Sequence, residues 1–147
     1  LNTEIARMLL QNQGLAVECA GNGREGVEKF RAAAPGHFAA VLMDIRMPEM
    51  DGYEAARAIR ALPRADAGLP IIAMTADAFE EDIRSCREAG MNDHVTKPID
   101  PDHLFRVLKK QLSTPHPASR AAPGGKHDHR RTALLAQHRH RRRGGRL

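Results

Sequence analysis

Asp44 and Thr75 each stand directly after a short apolar run, residues 39–43 and residues 70–74, and Lys97 follows a very short strand candidate, Val95-Thr96. A carboxylate is a competent nucleophile toward phosphorus and yields an acyl phosphate. A phosphoryl group in transfer spreads negative charge over its equatorial oxygens, which then call for cations and hydrogen-bond donors. Lys97 offers a point charge on a flexible stem and Thr75 offers a hydroxyl. Neither has to act as a base, because an Asp carboxylate is already ionised near neutral pH. Taken singly the signals are weak, since an Asp after a strand is ordinarily a cap or turn residue. They gain meaning only if the fold gathers three strand ends at one point.

The elements that would do so alternate along the chain. Ile5, Met8 and Leu9 recur at helical spacing over residues 2–13, and Gly14 can end that helix. Residues 16–20 form a short strand candidate. Asn22-Gly23-Arg24-Glu25 has capping-box spacing, with Val27 and Phe30 marking a buried face behind it. The run 39–43 is continuously apolar, which favours a strand buried on both faces, as in a parallel sheet. Asp51-Gly52-Tyr53-Glu54 is a second cap signal, and Tyr53, Ala56 and Ile59 line the helix that follows. Residues 70–74 read as another buried strand. Phe79, Ile83 and Cys86 mark a further helix face, closed by Gly90. After the very short strand at Val95-Thr96, Asp100-Pro101 caps a last helix whose inner face holds Leu104, Val107, Leu108 and Leu112. Strands separated by helices imply right-handed crossovers and a parallel sheet covered on both sides. Polar residues at the strand ends then collect along the edge where open α/β sheets bind ligands.

Composition divides the chain in two. Residues 1–112 carry 14 Lys and Arg against 17 Asp and Glu, whereas residues 113–147 carry nine Lys and Arg against the single acid Asp128. The whole-chain charge of +5 therefore gives the body no electrostatic case for binding nucleic acid. Only 3% of residues are aromatic and Trp is absent, so the core must be aliphatic. Cys19 and Cys86 match no metal-binding or redox spacing and read as small core hydrophobes of a reducing, cytoplasmic compartment. No apolar run approaches the roughly 20 residues a membrane span needs.

Three ordered motifs then carry a resemblance. Val41-Leu42-Met43-Asp44-Ile45-Arg46-Met47-Pro48-Glu49-Met50-Asp51-Gly52 resembles the phosphoacceptor loop of response-regulator receivers. Ile71-Ile72-Ala73-Met74-Thr75-Ala76 looks like their switch strand, and Gly90-Met91-Asn92-Asp93-His94-Val95-Thr96-Lys97-Pro98-Ile99 looks like their lysine strand. The wording is nearest to receivers carried by hybrid sensor histidine kinases. The resemblance implies a doubly wound, flavodoxin-like (CheY-like) three-layer α/β/α fold with the family's strand order 2-1-3-4-5. It implies that Asp44 is the phosphorylation site, that Lys97 and Thr75 contact the phosphoryl group, and that the Lys97-Pro98 bond is cis. His94 takes the place of the family's switch aromatic.

The same resemblance implies a Mg²⁺ cofactor, held by Asp44, the backbone carbonyl of Arg46 and an acidic pair that ends the family's first strand. That strand and its acids are not found ahead of residue 1, so residues 1–112 are expected to form a receiver domain lacking its first central strand, with weak or no Mg²⁺ binding. Loss of about four buried aliphatic side chains at ~1.5–3 kcal/mol each would leave open edges and a molten or aggregation-prone body. Residues 113–147 are expected to be a basic, disordered tail, with Thr132-Ala133-Leu134-Leu135-Ala136-Gln137 too short to nucleate a lasting helix. The arginines could attract phosphates without sequence preference, and His127, His129, His138 and His140 could take up metal adventitiously.

The leading expectation is a phosphoacceptor module, not an enzyme in its own right, served by a histidine kinase or histidine phosphotransfer domain. A non-phosphorylated pseudo-receiver that only binds proteins is the alternative. A tail-borne nucleic-acid binder is a third, with affinity that falls steeply with salt.

Overall fold

A computed structural model describes residues 3–47, 50–76, 79–113 and 131–137. Its elements run α1 (Thr3–Asn12), β1 (Ala16–Ala20), α2 (Gly23–Ala32), β2 (Phe38–Asp44), α3 (Gly52–Arg60), a short 3₁₀ turn (Ala65–Gly68), β3 (Ile71–Thr75), α4 (Glu80–Glu88), β4 (Asp93–Thr96), α5 (Pro101–Ser113) and β5 (Thr132–Ala136). The anticipated caps are in place. Asn22 and Asp51 each accept a hydrogen bond from the backbone N–H three residues on, at Glu25 and Glu54. Gly90 ends α4 with a φ of +93°, a left-handed conformation that favours glycine.

The sheet is parallel throughout, in the order β1-β5-β2-β3-β4. Two aliphatic layers cover it. Phe30, Ala56, Ile59 and Cys86 of α2, α3 and α4 pack with Val41, Met43, Ile71 and Ala73 on one face. Ala6, Leu10, Leu104, Val107 and Leu108 of α1 and α5 pack with Leu42, Ile72, Met74 and Val95 on the other. This is the expected three-layer α/β/α architecture. Strands buried on both faces explain why β2 and β3 read as unbroken apolar runs.

Three sequence expectations need correction. Residues 132–136, assigned to a disordered tail, form β5 at the centre of the sheet. Ala16 to Ala20 pair with Thr132 to Ala136 on one side, and Phe38 to Met43 pair with the same segment on the other. The central position is therefore filled, and among the described residues β1 and β2 have no open inner edge. Helix nucleation was the wrong criterion for this segment. Five residues cannot sustain a helix, but a continuous apolar stretch suits a slot walled by two helical layers and flanked by two unsatisfied strand edges. Its side chains divide evenly: Leu134 and Ala136 join the α2–α4 layer, Ala133 and Leu135 the α1–α5 layer. The rest of the tail, with His127, His129, His138 and His140, lies outside the described residues.

The second correction concerns α1, which buries Ala6 and Leu10 and leaves Ile5 and Met8 exposed. Leu9 is half-buried beside them. Apolar spacing in this helix fits two adjacent stripes, and the one opposite β1 and α5 is the stripe that packs. Third, Phe79 does not line α4. It sits at the N-cap in an extended conformation and is 67% exposed.

A guanidinium braces the loops on the far side of α3. Arg60 donates to the carbonyls of Ala67 (2.7 Å), Leu69 (2.6 Å) and Gly90 (2.9 and 2.7 Å) and to Asn92 Oδ1 (2.7 Å). Asn92 Oδ1 also accepts from Ile71 N–H, so one side chain ties the entry of β3 to the α4–β4 turn.

Candidate functional site

The site forms where β2, β3 and β4 end. In the parallel register Asp44 lies level with Met74, so Thr75 reaches one residue further; Thr75 in turn lies level with Thr96, so Lys97 reaches further again. This staggered edge brings the three expected residues into one small cleft, lined by Asp44, Thr75, Lys97, Ile45, Arg46, Met74, Ala76 and Asp82. Asp44 and Thr75 are 5% and 7% exposed, so both side chains are shielded except toward that cleft.

Lys97 Nζ donates to Asp44 Oδ2 at 2.8 Å, and Arg46 N–H donates to Oδ1 at 3.3 Å. The Lys97 side chain is about one-third exposed, so the ammonium can follow a charge that grows outward from Asp44. Lys97 is held in place by its backbone N–H, which donates to the carbonyl of Thr75 at 2.7 Å; the Lys97-Pro98 bond is cis, as the resemblance implied. Small Ala76 borders the opening.

The loop after Asp44 is fixed from α3. Gly52 N–H donates to the Ile45 carbonyl at 2.8 Å. A Cβ on Gly52 would lie 2.4 Å from the Asp44 carbonyl oxygen and 2.8 Å from Ile45 Cα, so α3 meets the Asp44 backbone only because this residue is glycine. Beside the cleft, burial, followed by the Cys86 thiol and the Asp82 carboxylate, pushes the Tyr53 phenol up to about 12. Tyr53 is thus a neutral hydroxyl at physiological pH.

His94 lies in the middle of β4, level with Ala73, and is half-buried. It lines a separate cavity with Ile83, Cys86, Met91 and Lys110, between α4 and α5, and is not part of the Asp44 cleft. Two residues near the site were not singled out in the sequence. Asp82 lines the cleft from α4, but in the run Glu80-Glu81-Asp82 it looks like ordinary first-turn charge. Gln137 follows β5 and is 6% exposed; with β5 unrecognised, nothing in the sequence pointed to it.

The donor set that the described residues offer does not suit a divalent ion. Among the described residues no three His, Cys, Asp or Glu side chains stand close enough to share a metal. Asp44 is already engaged by Lys97, and the Arg46 carbonyl adds only a neutral oxygen. Mg²⁺ gives up its water reluctantly and is bound chiefly through carboxylates and phosphates.

Comparison with known proteins agrees with this architecture. Residues 1–109 match the family model of the response regulator receiver domain. A 14.6 kDa protein from Leptolyngbya boryana is 36% identical over 107 residues, covering 73% of this chain and 79% of that protein. Hybrid signal transduction histidine kinase L of Dictyostelium discoideum is 34% identical over 116 residues, covering 75% of this chain but only 7% of the kinase. The chain thus spans a small fraction of the length of its kinase relatives. Among solved structures, the receiver domain of sensor histidine kinase PA1611 from Pseudomonas aeruginosa, which has magnesium in its active-site cleft, superposes with a TM-score of 0.68 at 34% identity, covering 77% of this chain and 89% of that one. Chemotaxis protein CheY4 of Vibrio cholerae gives a TM-score of 0.65 at 27% identity, covering 74% of this chain and 87% of that one. The helix-covered parallel sheet, the three strand-end motifs and these likenesses together place the chain in the response-regulator receiver family of two-component signalling.

Proposed function

We propose that Asp44 accepts a phosphoryl group from a phosphohistidine carried by a histidine kinase or histidine phosphotransfer domain. One observation carries this reading: the Lys97 ammonium lies 2.8 Å from a shielded Asp44 carboxylate, in the same cleft as Thr75. An Asp44 carboxylate oxygen attacks phosphorus while the P–N bond to the donor imidazole breaks. The electron pair of that bond returns to the imidazole nitrogen, and a donor ring protonated at its other nitrogen leaves as neutral imidazole. Lys97 moves from the carboxylate to the phosphoryl oxygens and Thr75 donates its hydroxyl to one of them. The chain promotes its own modification and is not a separate catalyst of turnover. Thr75 and His94 then form the switch, with the β4 backbone joining them. A cytoplasmic setting suits such a donor, and no helix among the described residues is long and apolar enough to cross a membrane.

The decisive experiment is incubation with acetyl phosphate, with and without Mg²⁺, followed by intact mass measurement. A gain of one phosphoryl group that disappears in Asp44→Asn is the expected result. No gain under either condition overturns the proposal. That result would favour the pseudo-receiver reading, for which the lack of a carboxylate cluster among the described residues is the supporting observation.

A further inference from the structure

We infer that this site works without a divalent cation and that residue 137 is the position that decides it. The inference deepens the phosphoacceptor reading and rests on it. Ala136 pairs with Met43 of β2 on one side, and on the other Gln137 N–H donates to the Ala20 carbonyl of β1 at 3.0 Å, so residue 137 holds the course of the strand one step past Ala136. Gln137 therefore stands level with Asp44 on the neighbouring strand, about 4.8 Å away across the sheet. Side chains alternate along a strand, and both Met43 and Ala136 face the α2–α4 layer. Gln137 and Asp44 consequently share the opposite face, side by side, each nearly closed off from solvent.

A second acidic ligand from β5 would have to stand at or just beyond this position. The residue there is a glutamine, and the sequence holds no Asp or Glu after Asp128. A neutral amide oxygen adds no charge to attract a hard dication. Among the described residues Asp82 brings the carboxylates lining the cleft to two, and one of those is already paired with Lys97. The amide has a compensating merit: a carboxylate at 137 would set two shielded negative charges beside each other with one ammonium between them, whereas glutamine leaves Asp44 and Lys97 as a balanced pair. Compensation for charge at Asp44 is thus supplied by the chain's own Lys97.

The test is a Mn²⁺ titration of the full chain and of Gln137→Glu, reading free Mn²⁺ by electron paramagnetic resonance with no phosphodonor present. The native chain should retain no Mn²⁺ at millimolar concentration, and Gln137→Glu should bind it roughly tenfold or more tightly, the usual scale for altering one group at a metal site. Retention by the native chain that Asp44→Asn abolishes overturns the inference, whereas retention that survives Asp44→Asn lies outside the cleft and leaves the cleft cation-free as inferred. Failure of both chains to bind overturns the assignment of residue 137. Gln137→Asp serves as the second variant should the longer acid disturb folding. Acetyl phosphate labelling in parallel should be insensitive to EDTA in the native chain and become Mg²⁺-dependent in Gln137→Glu. Labelling of the native chain that EDTA abolishes also overturns the inference. Absence of labelling in every chain would remove the phosphoacceptor reading, while the Mn²⁺ data would still decide the cation question.

Discussion

If residues 132–136 are the middle of the sheet, a leucine there must behave as core; if they belong to a loose tail, it must not. Leu134→Ala and Leu135→Ala probe the two layers separately, because both side chains are 0% exposed and face opposite ways. Each change removes three carbons, worth ~2.4 kcal/mol at ~0.8 kcal/mol per buried methylene. A cavity left half-filled adds on the order of 1 kcal/mol, since residual volume costs ~24 cal/mol per Å³. The expected loss is ~3–4 kcal/mol for each variant. Urea unfolding followed by circular dichroism measures it: with a slope of ~2 kcal/mol per molar for a domain of this size, each midpoint should fall by ~1.5–2 M. Met8→Ala, at an exposed apolar position of α1, is the matched control and should change stability by no more than ~0.5 kcal/mol. Leucine variants that unfold with the native midpoint would refute the placement of β5.

Arg60→Met should cost ~2–4 kcal/mol in the same assay, because the carbonyls of Ala67, Leu69 and Gly90 all lose their charged donor. An unchanged midpoint would show that water replaces it freely. Gly52→Ala should lower the rate of acetyl phosphate labelling by about tenfold or more, since the new Cβ meets the Asp44 backbone and a small misplacement at a reacting group is costly; labelling at the native rate would refute the close approach. Burial alone would raise the Asp66 carboxyl, but the Arg64 hydrogen bonds, the Gly36 N–H and the Arg64 charge outweigh it and hold the group below the usual carboxylate range. A lowered folded value means that this pair stabilises the fold fully above pH ~4, the unfolded value, and that the contribution fades as pH falls through the folded value. Asp66→Asn should therefore reduce stability at pH 7 and flatten its decline in acid, which unfolding at a series of pH values would reveal.

How much of this could be read beforehand depended on whether the cause was local. Asp44 and Thr75 were legible because each ends a run whose composition alone marks a buried strand, and Lys97 because it closes a third, much shorter strand candidate in the same alternation. Asn22 and Asp51 were legible because a cap is a three-residue geometry. The inner face of α1 was not, as Ile5, Met8 and Leu9 trace one stripe while Ala6 and Leu10 trace the one that packs. Asp82 was concealed by a second, sufficient reason for acids at a helix start. Residues 132–136 were the hardest to place. Their structure comes from a slot built by residues 16–20 and 38–44, and nothing within five residues of sequence announces a gap between strands so far upstream.

That pairing also bears on how the molecule is assembled. The β2–β3 and β3–β4 contacts each close over a single helix and its turns, whereas Ala16 and Phe38 must both find Thr132. Closing so long a loop takes its entropic toll before any contact rewards it, which makes long-range parallel pairing slow. The segment containing β2, β3 and β4 can gather early, with β1 and its helix waiting as a separate flap. Insertion of the last strand then joins the two pieces beside β2, so the sheet edge that carries Asp44 is finished only when folding is.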